Sequence, residues 1–265
     1  MTLQRRFAVP SPRHSIGKAD GMKRWLGLAR SLVIYHNPAT ARAWRRRYGD
    51  LLQAGDLAID VGAHVGTRTR AMRAAGARVI ALEPQGLFAR FLRLSLPRDV
   101  VLIEAAAGAA EAVAELAVSS RHPTVSSLHN AFVNDAARTP GFDHVRWDRH
   151  ERVQLVTLDA LIARYGVPAY VKIDVEGFEL DVLSGLSRAV PMVSVEYLPG
   201  FAHLTHAVID RLEALGGYRF NPVVGERAGF LWPAWRDAAA VRDWLDTLDT
   251  DAPSGDLFAR LGSRP

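Results

Sequence analysis

The sequence predicts an α/β fold, a mostly parallel sheet with helices on both faces. Three observations predict it. Short apolar runs fall at 57–61, 78–82, 100–104, 169–173 and 192–196, each of strand length and without polar alternation. Stretches of helical spacing lie between several of them, near 66–75, 86–95 and 177–188. Glycines and charged side chains gather just beyond the runs, where open parallel sheets bind their ligands.

Residues 1–20 mix Pro, Ser, Arg and Gly without periodicity and read as a flexible basic arm. From Met22 to Tyr35, the residues Trp25, Leu28, Leu32 and Tyr35 recur at helical spacing. A second helix is expected from Asn37 as N-cap, with Pro38 in its first turn, to about Leu52. Residues 21–54 are thus an N-terminal helical segment ahead of a main domain over 55–265. Between Ser119 and Arg152 the alternation of strand and helix breaks. His122, His129, His144 and His150 fall there, with Pro123, Pro140 and Gly141, and match no metal-binding spacing. The stretch 119–152 is expected as a loop insertion, a lid or binding excursion. The tail carries one more helical pattern around Val241, Trp244, Leu245 and Leu248.

Composition excludes several classes. At 265 residues, 49% hydrophobic and 23% charged, the chain is globular and long enough for one α/β domain with additions. No apolar run approaches the ~20 residues that span a bilayer. No apolar core with a small-residue cleavage site follows the N-terminal arginines, so no secretion signal is read. The chain has no cysteine, which excludes disulfides and thiolate ligands and fits a cytoplasmic location. The net charge of +5 is uneven: residues 1–50 alone carry +9. A solvated arm accounts for this, as does contact with an anionic membrane surface. No zinc-finger spacing or aromatic platform supports a specific nucleic-acid partner.

The chemistry lies at the strand ends. The first strand runs into Asp60, followed by Gly62 and Gly66, a G-x-x-x-G that lacks the central glycine of the dinucleotide fingerprint. That glycine admits a pyrophosphate, so its absence favours a ligand without phosphates, such as S-adenosylmethionine. The second strand ends at Glu83, 23 residues after Asp60, where a carboxylate can accept from both ribose hydroxyls. A helix-capping glutamate before Pro84 is the other reading. The small residues of "IEAAAG" leave a slot for a flat ring. In "YVKIDVEGFELDVLSG", residues 170–185, Lys172, Asp174, Glu176 and Glu179 crowd an apolar strand end. Such charges must pair with one another or meet a ligand, since burying them alone is costly.

"DVGAHVGT", "ALEP", "VVLIEAAAG", "VSSL", "VTLDALI" and above all "VKIDVEGFELDVLSG" resemble the FkbM-type methyltransferase family, from about Leu57 to Tyr197. The resemblance implies a class I methyltransferase with a Rossmann-like fold, a mostly parallel seven-stranded sheet and N-terminal helices in front of it. It implies S-adenosylmethionine as cofactor and methyl transfer to a hydroxyl of a sugar, glycolipid or polyketide-type acceptor. By motif, Asp60, Gly62, Ala63, His64, Gly66 and Thr67 would form the cofactor loop. Glu83, with Pro84, would hold the ribose, and Ala106 would lie near the adenine. Asp174 and Glu176 would face the methyl group and the acceptor. Residues 1–50 and 200–265 match no pattern and are expected to shape the acceptor pocket.

Such transfer needs alignment and the removal of one proton. The candidate catalytic residues are Asp174, Glu176, Glu196 at the end of "MVSVEY", Lys172 and His203, with His64 and His206 behind them. A divalent metal shared by Asp174 and Glu196 is conceivable but not demanded by the spacing, and no metal is expected. Two other readings stand beside O-methylation. One is N-methylation of a peptide or amine, the other a non-catalytic S-adenosylmethionine-binding protein.

Overall fold

The computed structural model describes residues 38–119, 126–129, 132, 133, 135, 145–227 and 229–262. The basic arm, the helix expected over Met22–Tyr35, the Asn37 cap, His122 and His144 lie outside these residues.

The five expected strands are present, almost to the residue: β1 (Leu57–Val61), β2 (Arg78–Leu82), β3 (Val101–Ile103), β7 (Tyr170–Ile173) and β8 (Met192–Tyr197). With β9 (Tyr218–Val224) and β10 (Gly255–Leu261) they form a seven-stranded sheet in the order β3-β2-β1-β7-β8-β10-β9. Only β10 runs antiparallel to its neighbours. The order reverses between β1 and β7, and that switch point is where an open sheet leaves a crevice. A second sheet, β4 (Ala106–Ala107), β6 (Arg149–Val156) and β5 (Ala112–Val118), was not foreseen. Residues 149–152, expected as loop, are the first half of β6 and pair with Val118 to Glu115. Their polar faces gave no strand signal.

Helices cover both faces: α1 (Pro38–Leu51), α2 (Thr67–Ala74), α3 (Gly86–Ser95), α4 (Leu158–Tyr165), α5 (Glu179–Ser184), α6 (Ala202–Leu215) and α7 (Ala238–Asp246). Alternate strand residues feed two cores. Ile59, Val61, Val171, Ile173, Val193 and Val195 pack with Leu183, Ile209 and Val241 from α5, α6 and α7. On the other face, Ala58, Tyr170, Met192 and Phe258 pack with Trp44 and Tyr48 of α1 and Met72 of α2. Both faces are thus dry, which is why these strands read as unbroken apolar runs.

The N-terminal helix is part of that second core. Trp44 and Tyr48 are fully buried, and Tyr48 lies 5.7 Å from Tyr170, whose ring stacks on Phe258 at 5.9 Å. Burying two such aromatics contributes on the order of 2–3 kcal/mol each. Truncating Trp44 would cost about 3–5 kcal/mol, so α1 holds its place over the sheet by packing. Among the described residues no helix is long and apolar enough to cross a membrane.

Candidate active site

The carboxyl ends of β1, β2, β7 and β8 open into one cavity of about 270 Å³, bordered also by β4 and α1. Most of the expected residues border it: Gly62, Ala63, His64, Thr67, Glu83, Pro84, Ala106, Lys172, Asp174, Glu176 and Glu196.

The loop after β1 explains its own sequence. Gly62 sits at φ +81°, and a Cβ there would fall 1.9 Å from the carbonyl oxygen of Asp174. The β1 loop can therefore lie against the β7 loop only without a side chain. His64 stands where the dinucleotide fingerprint has its central glycine, yet adopts φ 50° itself. Histidine tolerates the left-handed region better than most residues. The backbone turns as a glycine would, its N–H reaches Glu83 Oε2 at 2.8 Å, and the ring packs edge-on against Phe88.

Two expected cofactor residues do not touch the cavity. Gly66, at φ +76°, faces Arg70 and Leu92, so its missing side chain admits α3, not a ligand. Asp60 is fully buried behind Lys172. Its Oδ2 accepts from Thr69 Oγ1 at 2.5 Å, while Lys172 Nζ stands 3.7 Å from Oδ1. Burial pushes the Asp60 carboxyl up, against the opposing pull of Lys172 and Thr69. Asp60 thus faces Lys172 and Thr69 and not the cavity.

Glu83 at the end of β2 is buried with each carboxylate oxygen accepting one backbone N–H, from His64 and from Gln85, both at 2.8 Å. Burial still pushes its carboxyl up to about 8. Each oxygen keeps a second lone pair, which suits a vicinal diol. Ala105, Ala106 and Ala107 border the cavity beside it, the slot that the small residues suggested.

Across β1, Lys172 on β7 and Asp174 just beyond its end are two residues apart, the spacing that sets side chains on one face. Their ion pair spans 2.9 Å. Burial alone would lower the Lys172 ammonium, but Asp174, Asp60 and Asp256 together raise it, so it stays charged. Asp174, though burial opposes it, is held below the usual carboxylate range by Lys172. Glu176 and Glu196 go the other way. Burial, then the neighbouring carboxylates, push both well above their ordinary value. One oxygen of each of Asp174, Glu176 and Glu196 lies within 4.8 Å of the others, close enough for one cation to meet all three.

Glu176 is held at φ 54°, and Ser127 Oγ fixes the turn by donating to its carbonyl at 2.7 Å. Glu179 proves structural: its Oε1 accepts from Val175 N at 3.1 Å and Gly177 N at 3.3 Å, tying the turn ahead of α5.

His203 lies apart from the cavity. It sits exposed on the first turn of α6, its ring 6.4 Å from that of Phe201, and does not border the cavity. His206 pairs with Asp246 at 2.9 Å instead. The short 3-10 turn at Pro199–Phe201 precedes α6, on which both histidines lie. Sequence reasoning missed Thr40, Arg68, Ser126, Leu128, Glu226 and Ser254, which also line the cavity. Of these, Ser126 and Leu128 fall within "VSSL" and Arg68 adjoins the loop motif; the others carried no local signal.

A family model described as the methyltransferase FkbM domain matches residues 60–246, well over half of the chain and beyond the Tyr197 limit of the motifs. No curated protein matches in sequence. Among solved structures, an O-methyltransferase from Bacillus cereus in complex with SAH is 10% identical, covering 93% of this chain and 92% of its own, with a TM-score of 0.46. Magnesium protoporphyrin IX methyltransferase from Synechocystis PCC 6803 with bound SAM is 12% identical over 91% of each chain, TM-score 0.46. Precorrin-6y C5,15-methyltransferase from Geobacter metallireducens is 15% identical, covering 83% of this chain and 87% of its own, TM-score 0.42. The strand order, the cavity at the switch point and the family match agree: the chain belongs to the FkbM methyltransferase family.

Proposed function

We propose that the protein is an S-adenosylmethionine-dependent O-methyltransferase acting on a hydroxyl of a sugar, glycolipid or polyketide-type acceptor. The observation that carries this reading is the pairing of unlike carboxylates in one cavity. Asp174 is held ionised by Lys172, while Glu176 and Glu196 are made more basic.

The residues fit the donor. Gly62 leaves a bare backbone against the β7 loop, Glu83 offers two lone pairs to a ribose diol, and the alanines at 105–107 leave room for a base. When bound, the donor supplies an electrophilic methyl whose carbon–sulfur bond breaks as the acceptor bonds to carbon, leaving a neutral thioether. The chain's own work is alignment and the handling of one proton. A hydroxyl oxygen is a weak nucleophile until its proton is taken, whereas a neutral amine attacks without prior proton loss. A raised carboxylate is the better base, so Glu196 or Glu176 receives the acceptor proton. Asp174, pinned by Lys172, orients the acceptor and stays charged.

The test is a methyl-transfer assay on hydroxyl-bearing acceptors with Glu196→Gln, Glu176→Gln and Asp174→Asn. Loss of the base should lower kcat by about 10²–10⁴-fold with the donor still bound. Unchanged turnover in both glutamine variants refutes a carboxylate base. Loss of activity with a chelator, restored by a divalent ion, would assign the same oxygens to a cation.

A further inference from the structure

Arg68 is the first cationic side chain after the loop motif, on the opening turn of α2, and it borders the cavity. Its guanidinium carbon lies 3.1 Å above the Trp44 ring, which fixes the plane of the group against α1. One terminal nitrogen, Nη2, is shared by two carboxylates, Asp256 Oδ2 and Glu226 Oε2, each at 3.2 Å. Both contacts are long for charge-assisted bonds, which favour about 2.7–2.9 Å. The other terminal nitrogen, Nη1, is buried and has no acceptor among the described residues. The fork that makes arginine a bidentate receptor is therefore only half used.

The two partners are not equivalent. The Asp256 side chain is 9% exposed and held in β10 between β8 and β9. The Glu226 side chain is 58% exposed, on the turn after β9, and also borders the cavity. Asp256 is thus a fixed partner and Glu226 a replaceable one, since an exposed pair contributes little.

We propose that Arg68 is the receptor for the carboxylate at the amino-acid end of the methyl donor, and that Glu226 holds that place until the donor arrives. A bidentate carboxylate in place of Glu226 satisfies Nη1 and Nη2 together. The direction follows from topology. Glu83 directly follows β2 and Arg68 lies on the helix that leaves β1, so the β1 loop runs between the ribose end and the carboxylate end. This rests on the donor reading given above.

Titration calorimetry on the full chain tests it, with S-adenosylhomocysteine and its descarboxy analogue as probes. The wild type should prefer S-adenosylhomocysteine by about 10- to 100-fold, the range of a charge-assisted pair. Arg68→Met should abolish that preference while leaving affinity for the descarboxy analogue unchanged. Glu226→Gln removes the competitor and should tighten S-adenosylhomocysteine alone. Equal weakening of both probes in Arg68→Met would make Arg68 a structural brace and overturn the proposal. An unchanged preference would overturn it too, and leave Arg68 to an acidic acceptor. If Arg68→Met fails to fold, Glu226→Gln still decides: affinity for S-adenosylhomocysteine that does not rise refutes displacement. Failure of the wild type to bind S-adenosylhomocysteine would instead refute the donor reading.

Discussion

On the donor reading proposed above, Glu83 should make donor binding a proton-release reaction. Burial lifts its carboxyl from an ordinary 4.5 to about 8, even with two backbone N–H groups donating to it. At pH 7 a group of that pKa is about nine-tenths protonated. Two ribose hydroxyls donating to the carboxylate favour its ionised form and lower the pKa in the complex. Binding at pH 7 should then expel about 0.9 proton, and apparent affinity should rise about tenfold from pH 7 to pH 9. From pH 6 to 7 the gain is again close to tenfold, and above pH 8 it flattens. Calorimetry with S-adenosylhomocysteine in two buffers of different ionisation enthalpy counts the protons directly. Glu83→Gln should bind more weakly and lose the pH dependence. Affinity that is flat between pH 6 and 9, with no proton released, would refute an ionising Glu83 as the ribose acceptor. The sign for stability is opposite. A raised carboxyl contributes fully below its unfolded value near 4.5 and loses that contribution as pH climbs through about 8. The free protein therefore weakens towards alkaline pH, where the donor stabilises it most.

Gly62→Ala should destabilise the fold by more than the ~1–2 kcal/mol of a left-handed backbone, because its Cβ would also collide with the Asp174 carbonyl. A urea midpoint equal to wild type would show that the β1 and β7 loops do not need this contact. Lys172→Met leaves Asp60 and Asp174 without their shared cation and should cost about 3–5 kcal/mol. Adding Asp60→Asn should recover part of that loss, and chemical denaturation of the single and double variants checks both.

The central strands and their charged ends were legible because both depend on short-range pattern. Buried parallel strands are apolar throughout, and "KIDVEG" sets Lys172 and Asp174 two residues apart on one face. The second sheet was not legible. β6 is mostly polar at its start, and β5 (AVAELAV) is apolar but for Glu115 yet exposes its first half, so its composition did not mark which residues are buried. The far edge of the main sheet was missed for another reason. β10 enters antiparallel between β8 and β9, a pairing with no local signature, and only this pairing sets Asp256 opposite Glu196. Arg68, Glu226 and Asp256 are far apart in the chain, so no spacing could have joined them. His203, on the first turn of α6, does not border the cavity, a placement that no local pattern foretold.

The short stretch 126–129 joins two tasks in one piece of chain. Ser126 and Leu128 face the cavity and form part of its wall. Ser127, between them, bridges to Ala117 in the second sheet and holds the Glu176 turn in its left-handed shape. A displacement that drew this wall aside would also release the carbonyl that sets Glu176. The wall of the cavity and the turn that carries Glu176 thus share one anchor, so a change made in the one should be felt in the other.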